Sequence, residues 1–552
     1  MPSLEKSEIL LEHLCGQSAR KRKKRRAPGG PRDRGKPMNR TLSENLSRLT
    51  TWYSESFGRH PAKSLAFFTI VSSFLWTVQT ALCQKILPLD VIEAVVWGEE
   101  LQWGQMKSPP LSGWLAALFS RLSGHSDWSL YLLSQLTIVC AVFFVYKLAR
   151  EFFDECGAAT AAMLLYFLYY YMPPAMKFCS HSTQTALLPA VGYFFWKGVK
   201  DDRLRDWLLL ALFAALATLG KYAAIQVLAG CFVFMILHPP ARKRFASPGP
   251  YLAGILYLLL LLPHILWLFD HDFLPVKHLG ERLAGAEKGI GIALLSVLTV
   301  LMPYALLAAV LAVMNLPEKR PWHLFRRDDA APQNDTGRRT ALFFSLSLTL
   351  VPELFYLVPA LSGESIILMW FSYLAGFTGI TAVALLPEGV THKVFRRLYA
   401  VLWFYFAILF VGVTLDVLNK PRYRIHSEPE VIVGMAERFY KERSGGRPIP
   451  VVYGDRWLAG VIQNYSPHRP PACVHDDVCN MELYRERLKR EGGLVIFNGQ
   501  TDYAGAFRAA GLTPVPLTTF KYTYASQFGK RRKDSLSFGF LAPSAAAPQR
   551  QK

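Results

Sequence analysis

Two acids one helical turn apart, and a lysine followed by paired prolines, are the first residues in this chain that could do chemistry. Leu89-Asp90-Val91-Ile92-Glu93 and Trp103-Gly104-Gln105-Met106-Lys107-Ser108-Pro109-Pro110 follow directly on the first long apolar run, about residues 65–86. Charged groups are costly in lipid, so acids and a lysine gathered where a chain has just left a bilayer mark a candidate site on the far side. The i, i+3 spacing puts Asp90 and Glu93 on one helix face. The same residues also fit an amphipathic surface helix followed by a second helix with Ser108 as its N-cap and proline in its first turn.

More chemistry-bearing residues lie in the later loops expected on the same side. Lys177, His181 and Gln184 lie in one, and Lys221 and Tyr222 sit at a Gly220 junction. Asp270, His271, Asp272, Lys277, His278 and Arg282 lie in another. Carboxylates that activate an acceptor oxygen and cations that stabilise a departing phosphate are what sugar transfer from a lipid phosphate requires. Each residue also has a structural reading. Lys221 can snorkel between two spans, His181 and His278 can be interfacial polar residues, and the aromatic end Trp267-Leu268-Phe269 fits an interface belt.

The elements that must position these groups are membrane spans. The chain has 552 residues, of which 51% are hydrophobic, and a mean hydropathy of +0.19. Apolar runs of about spanning length recur near residues 65–86, 126–147, 156–172, 184–197, 206–219, 222–238, 250–269, 289–314, 341–360, 366–386 and 398–418. The expectation is a polytopic α-helical membrane protein with about 11 transmembrane helices. The net charge of +21 is concentrated in the run Arg20 to Arg26 and in alternate short loops. That is the pattern of cytoplasmic loops, so nucleic acid is not expected as a partner. No cleavable signal precedes the first run, which should remain as an anchor.

About 11 spans carry the last segment outside, so the expected domains are a basic cytoplasmic tail (1–62), a transmembrane catalytic domain (63–418) and a soluble α/β periplasmic module (419–552). In the module Val431–Val433, Val451–Tyr453 and Leu494–Phe497 read as strands, and Met481–Glu491 and Tyr503–Ala510 as helices. Cys473 and Cys479, in Cys-Val-His-Asp-Asp-Val-Cys, are expected to form a disulfide in an oxidising compartment. His475, Asp476 and Asp477 lack a standard metal spacing.

On Asp90 and Glu93, Lys107-Ser-Pro-Pro, Leu219-Gly220-Lys221-Tyr222 and Trp267-Leu-Phe-Asp-His-Asp-Phe-Leu-Pro, the chain resembles the GT-C superfamily of polyprenyl-phosphate-sugar-dependent glycosyltransferases. Within it, glycosyltransferase family 39 and the lipid A 4-amino-4-deoxy-L-arabinose transferase group are the most similar. The resemblance covers about residues 63–418, and the module by position alone. It implies an inverting glycosyltransferase of the bacterial inner membrane whose active site faces the periplasm. Its donor would be a polyprenyl-phosphate sugar, and its acceptor a lipid or glycolipid, with lipid A or lipopolysaccharide core foremost and a protein acceptor, as for the O-mannosyltransferases, left open. It assigns Asp90 as catalytic base or metal ligand with Glu93 beside it, and Lys107 near the donor phosphate. His181, Lys221, Tyr222, Asp272 and Arg282 become candidate substrate contacts. Where relatives often carry a second acid, this chain has Phe178-Cys179-Ser180-His181, so His181 is a candidate substitute and a divalent metal ion a candidate cofactor. The alternative class is a transporter or lipid flippase, which would place its ionisable groups in mid-span.

Overall fold

The computed structural model describes residues 60–284, isolated positions between 291 and 310, and residues 335–361, 375–386, 390–499 and 502–544. The basic tail, most of the expected span 289–314 and the first part of the span 366–386 lie outside the described residues, as does the side chain of Arg282.

The described part is mainly helical. Helix α1 (Pro61–Cys83) leads into α2 (Leu89–Glu99), α3 (Leu111–Leu122) and α4 (Trp128–Ala149), then α5 (Glu155–Met163) and a run of 3-10 turns ending at Met176. There follow α6 (Ser180–Asp201), α7 (Leu204–Gly220), α8 (Ala224–Leu237), α9 (Gly249–Asp270) and α10 (Leu274–Ala284). After the undescribed segment come α11 (Asp335–Leu361), α12 (Ala375–Ala384) and α13 (His392–Asn419).

Each expected apolar run that is described is a helix or, for 156–172, a helix continued by tight turns. Among the described residues four helices (α1, α4, α9 and α13) are long and apolar enough to cross a membrane. A fifth joins them if α8 and the segment to Ala246, bent at 95°, count as one span. On α9, Ile255, Leu258, Leu259, Leu262 and Leu266 are exposed, the surface expected of a helix solvated by lipid. The chain is a multi-pass membrane protein.

Helices α2 and α3 form a hairpin between α1 and α4. They approach closely because Gly98 faces Gly113; a Cβ on Gly98 would stand 2.0 Å from the Gly113 carbonyl oxygen. Helix α3 begins at Leu111 with Pro110 at its N-cap, and the Pro110 carbonyl accepts its first bond from Trp114 N. Ser108 is therefore not the cap: a residue before proline is driven out of the helical region, so Pro109 cannot open a helix ahead of Pro110.

The C-terminal residues build an α/β module. Helix α14 (Pro429–Ser444) is followed by β1 (Val452–Gly454), α15 (Arg456–Tyr465), β2 (Ala472–Val474), α16 (Val478–Glu491), β3 (Gly493–Asn498), α17 (Ala504–Ala509), β4 (Thr518–Tyr524) and β5 (Arg532–Leu541). The sheet order is β2-β1-β3-β5-β4. Strands β1, β2 and β3 are parallel, while β5 runs antiparallel to both β3 and β4. Val431–Val433, expected as a strand, lies inside α14. Pro429 opens that helix, and Ile432, Val433, Ala436, Phe439 and Tyr440 bury one face at helical spacing, which overrides the β preference of the valines.

The expected disulfide is absent, and Cys473 and Cys479 are free and buried. Parallel pairing opposite Tyr453 fixes Cys473 in the sheet, where it packs with Val451, Leu488 and Val495. The Asp477 side chain caps α16 by accepting from Asn480 N, which carries Cys479 into the first helical turn. Burial pushes both thiols up, Cys479 to about 12.

One hydrophobic core runs from the first loop into the module. Leu87, Val91, Ile92, Val95 and Val96 pack with Trp457, Leu458, Val461, Ile462, Leu494 and Ile496. Polar contacts secure the same seam: Leu87 N donates to Tyr465 Oη (2.9 Å) and Leu87 O accepts from Trp457 Nε1 (3.1 Å). Tyr465 Oη in turn donates to Asp127 (2.6 Å).

Candidate active site in the first loop

Asp90 stands in the first turn of α2, where the unpaired amides of a helix start favour a carboxylate. Lys177, just ahead of α6, reaches it with Nζ 2.5 Å from Oδ2. One turn along α2, Glu93 Oε1 accepts from Lys107 Nζ at 3.0 Å. The same oxygen accepts from Arg456 Nη1, so two cations share one carboxylate oxygen. Arg456 opens α15, is 8% exposed, and its Nη2 lies 2.8 Å from Asp476 Oδ1. Burial pushes the Glu93 carboxyl up, against the pull of the Arg456 guanidinium.

Lys107 is aimed by the loop that carries it. Gln105 N donates to Ser108 O (3.0 Å) and Gln105 Nε2 to Trp97 O (3.1 Å), closing a turn with Lys107 near its tip. Behind this turn Gly104 lies flat on Trp267 of α9; a Cβ there would stand 2.1 Å from the indole. His264, one turn earlier on α9, donates from Nδ1 to Trp103 O (2.6 Å). Because a carbonyl can only accept, Nδ1 carries a proton, and in the neutral ring Nε2 then accepts from Tyr222 Oη at 3.0 Å.

His181 occupies the first turn of α6, whose start is held by Cys179 N donating to Ser182 Oγ. Its ring nitrogens lie 2.8 and 3.1 Å from Lys221 Nζ. Gln184 Nε2 donates to Lys221 O, tying the Gly220 junction to the same helix. Asp272 is elsewhere: it turns at positive φ beyond α9, is 84% exposed, and pairs with Lys277 at the start of α10. Arg282 lies on α10, with its side chain outside the described residues.

The structure thus joins Asp90 to Lys177, Glu93 to Lys107, His181 to Lys221, and Tyr222, through His264, to the first loop. Among the described residues no three His, Cys, Asp or Glu side chains gather as a metal site. Asp90 and Glu93 are instead bonded to cations, which is not the donor set a divalent ion takes.

Two contributors were not singled out from sequence. His264 had a signal: an ionisable residue inside an apolar span is a functional flag. Arg456 follows a strand and an N-capping Asp455, the place where an open α/β sheet presents its binding residues.

Buried acids extend from the site along the seam. Glu100 accepts from the Asn480 side-chain amide, and burial together with nearby Asp477 pushes its carboxyl up to about 8. Asp477, itself raised by burial, accepts from Trp97 Nε1 at 3.0 Å.

Residues 107–267 match the dolichyl-phosphate-mannose-protein mannosyltransferase family. That segment includes Lys107, His181, Lys221, Tyr222 and His264, and begins after Asp90 and Glu93. A lipid A galacturonosyltransferase, RgtD of Rhizobium johnstonii, is 27% identical over 210 residues, 37% of this chain and 43% of that protein. The match therefore spans less than half of the relative's length. Among solved structures, ArnT from Cupriavidus metallidurans bound to undecaprenyl phosphate superposes with a TM-score of 0.56 at 13% identity. That superposition covers 88% of this chain and 99% of ArnT. The apo form of ArnT gives 0.54 at 13% identity, over 86% and 97%. In its fold, and in the sequence of residues 107–267, the chain resembles the GT-C glycosyltransferases, as the residues of its first loop implied.

Proposed function

We propose that this protein is a glycosyltransferase of the bacterial inner membrane. It moves a sugar from a polyprenyl-phosphate donor to a glycolipid acceptor of the lipid A or lipopolysaccharide class on the periplasmic face. The observation that carries this reading is the first-loop pair: Asp90 bonded to Lys177, and, one turn along, Glu93 bonded to Lys107. The ArnT fold, whose solved complex holds undecaprenyl phosphate, and the similarity to a lipid A galacturonosyltransferase support the choice of donor and acceptor.

In the proposed reaction an acceptor hydroxyl oxygen attacks the anomeric carbon from the face opposite the lipid phosphate, so the configuration inverts. The new carbon–oxygen bond forms as the bond to the phosphate oxygen breaks. Asp90 takes the acceptor proton, and Lys177, 2.5 Å away, holds its side chain in place. The lipid phosphate leaves with one more negative charge than it had as a diester. Lys107 meets that growing charge, so its contact is stronger in the transition state than in the ground state. An acceptor that is itself a phosphate arrives ionised, and Asp90 then orients it instead.

The test is purified protein in lipid nanodiscs with an undecaprenyl-phosphate sugar and a lipid A acceptor. Cleavage of the donor with appearance of glycosylated lipid supports the reading. Movement of the donor lipid across a vesicle membrane without bond cleavage refutes it in favour of a transporter.

A further inference from the structure

We infer that Arg456 of the C-terminal module is a positioning residue of the first-loop site: it holds the Glu93 carboxylate and so sets how much of the Lys107 charge is left for a lipid phosphate. The inference rests on the proposed function, which it deepens by making the module part of the site.

Three observations carry it. Arg456 and Lys107 bind the same oxygen of Glu93, so they compete for one charge. Arg456 is the more buried, 8% exposed against 30% for Lys107, and it is anchored from behind by Asp476. A rigid, delocalised guanidinium fixed at both ends keeps its hold, whereas a lysine on a flexible stem can turn toward an incoming anion. The module is also placed to do this. Trp457 and Tyr465, at the two ends of α15, both bond to Leu87 just ahead of α2. Gly460 lets α15 lie against Ile92, where a Cβ would stand 2.2 Å from the Ile92 side chain. The carboxyl edge of β1, where an open α/β sheet would receive a ligand, is here closed by α2 and delivers Arg456 to Glu93.

Without Arg456, Glu93 Oε1 keeps Lys107 as its bonded cation and draws it away from the donor. Arg456→Gln should therefore weaken binding of undecaprenyl phosphate about tenfold, the low end of what one hydrogen bond to a charged group contributes. Removing the competing carboxylate as well should restore it, so Glu93→Gln/Arg456→Gln binds within about threefold of Glu93→Gln alone. A merely structural role for Arg456 would move thermal unfolding and binding together, whereas competition for the Glu93 charge lowers binding in a variant that still folds. Arg456→Lys, which keeps the charge, should fall between wild type and Arg456→Gln. Binding is measured on the full-length protein in nanodiscs, with thermal unfolding of each variant alongside. The double variant leaves no unpaired buried charge and serves if Arg456→Gln alone does not fold. In that case, double-variant binding weakened tenfold or more relative to Glu93→Gln overturns the inference. So does an Arg456→Gln that folds and binds like wild type, or that loses binding without rescue. Failure of the wild-type protein to bind or turn over any polyprenyl-phosphate lipid would refute the proposed function instead.

Discussion

Replacing Gly98 by alanine should damage the site without touching any residue in it. Helices α2 and α3 cross at Gly98 and Gly113, and an added Cβ would lie 2.0 Å from the Gly113 carbonyl oxygen and 2.7 Å from the Ala117 methyl. The neighbour is backbone, so no side chain can swing away. The helices must part by roughly 1 Å to restore ordinary contact. Overpacking of this kind costs about 1–3 kcal/mol, only partly offset by the roughly 1 kcal/mol that alanine gains over glycine inside a helix. Because α2 carries Asp90 and Glu93 and the loop to α3 carries Lys107, a shift of that size should lower transfer by up to about a hundredfold. Gly434→Ala, in α14 with nothing within 4 Å of the new Cβ, is the control and should be neutral or more stable by about 1 kcal/mol. Thermal unfolding and initial transfer rate are measured together on both. A Gly98→Ala protein as stable and as active as wild type would refute the close crossing and the argument built on it.

Further outcomes follow from the seam and the module. Glu100, pushed up from 4.5 to about 8, stays protonated in the fold at pH values where the unfolded chain has released its proton. Its contribution to stability is full below about pH 4.5 and lost as pH rises to about 8. Glu100→Gln should flatten that fall in melting temperature, though Asp477, raised in the same direction, keeps part of it; an unchanged slope would count against the buried acid. Mass mapping under non-reducing conditions should find Cys473 and Cys479 as free thiols that label only on unfolding, and a Cys473–Cys479 cross-link would contradict the structure. A reporter fused after Asn419 should act as a periplasmic one, and cytoplasmic activity there would put the module on the wrong side for the proposed function.

Much of this architecture is legible in the chain because spans and helix faces are local signals. The apolar runs at 65–86 and 126–147 become α1 and α4, and Asp90 and Glu93 fall on one helix because i, i+3 spacing needs no tertiary information. The reading goes astray where a non-local or competing effect decides. Val431–Val433 carries a strand propensity that loses to a buried helical stripe, and Cys473 and Cys479 are near in sequence but are set by a sheet pairing and a helix cap. Arg456 shows the limit most clearly. It is one of 62 lysines and arginines, and its partner Glu93 is 363 positions away, so only the docking of α15 on α2 distinguishes it. The Lys107-Glu93 bond, 14 positions apart, lies within reach of a single loop, and the lysine was visible from its own surroundings.

The proposed role of Asp90 is that of the acceptor-side carboxylate in a lipid-phosphate glycosyl transfer. The direct measurement is the initial transfer rate of Asp90→Asn with an undecaprenyl-phosphate sugar and a hydroxyl acceptor, set beside its binding of undecaprenyl phosphate. The amide keeps the shape of the carboxylate but cannot take the proton, so transfer should fall by at least about a hundredfold. Binding should be no weaker than wild type, since Lys107 and its bond to Glu93 are untouched. Near wild-type transfer by a folded Asp90→Asn protein would contradict the account and leave the first-loop acids as structural charges.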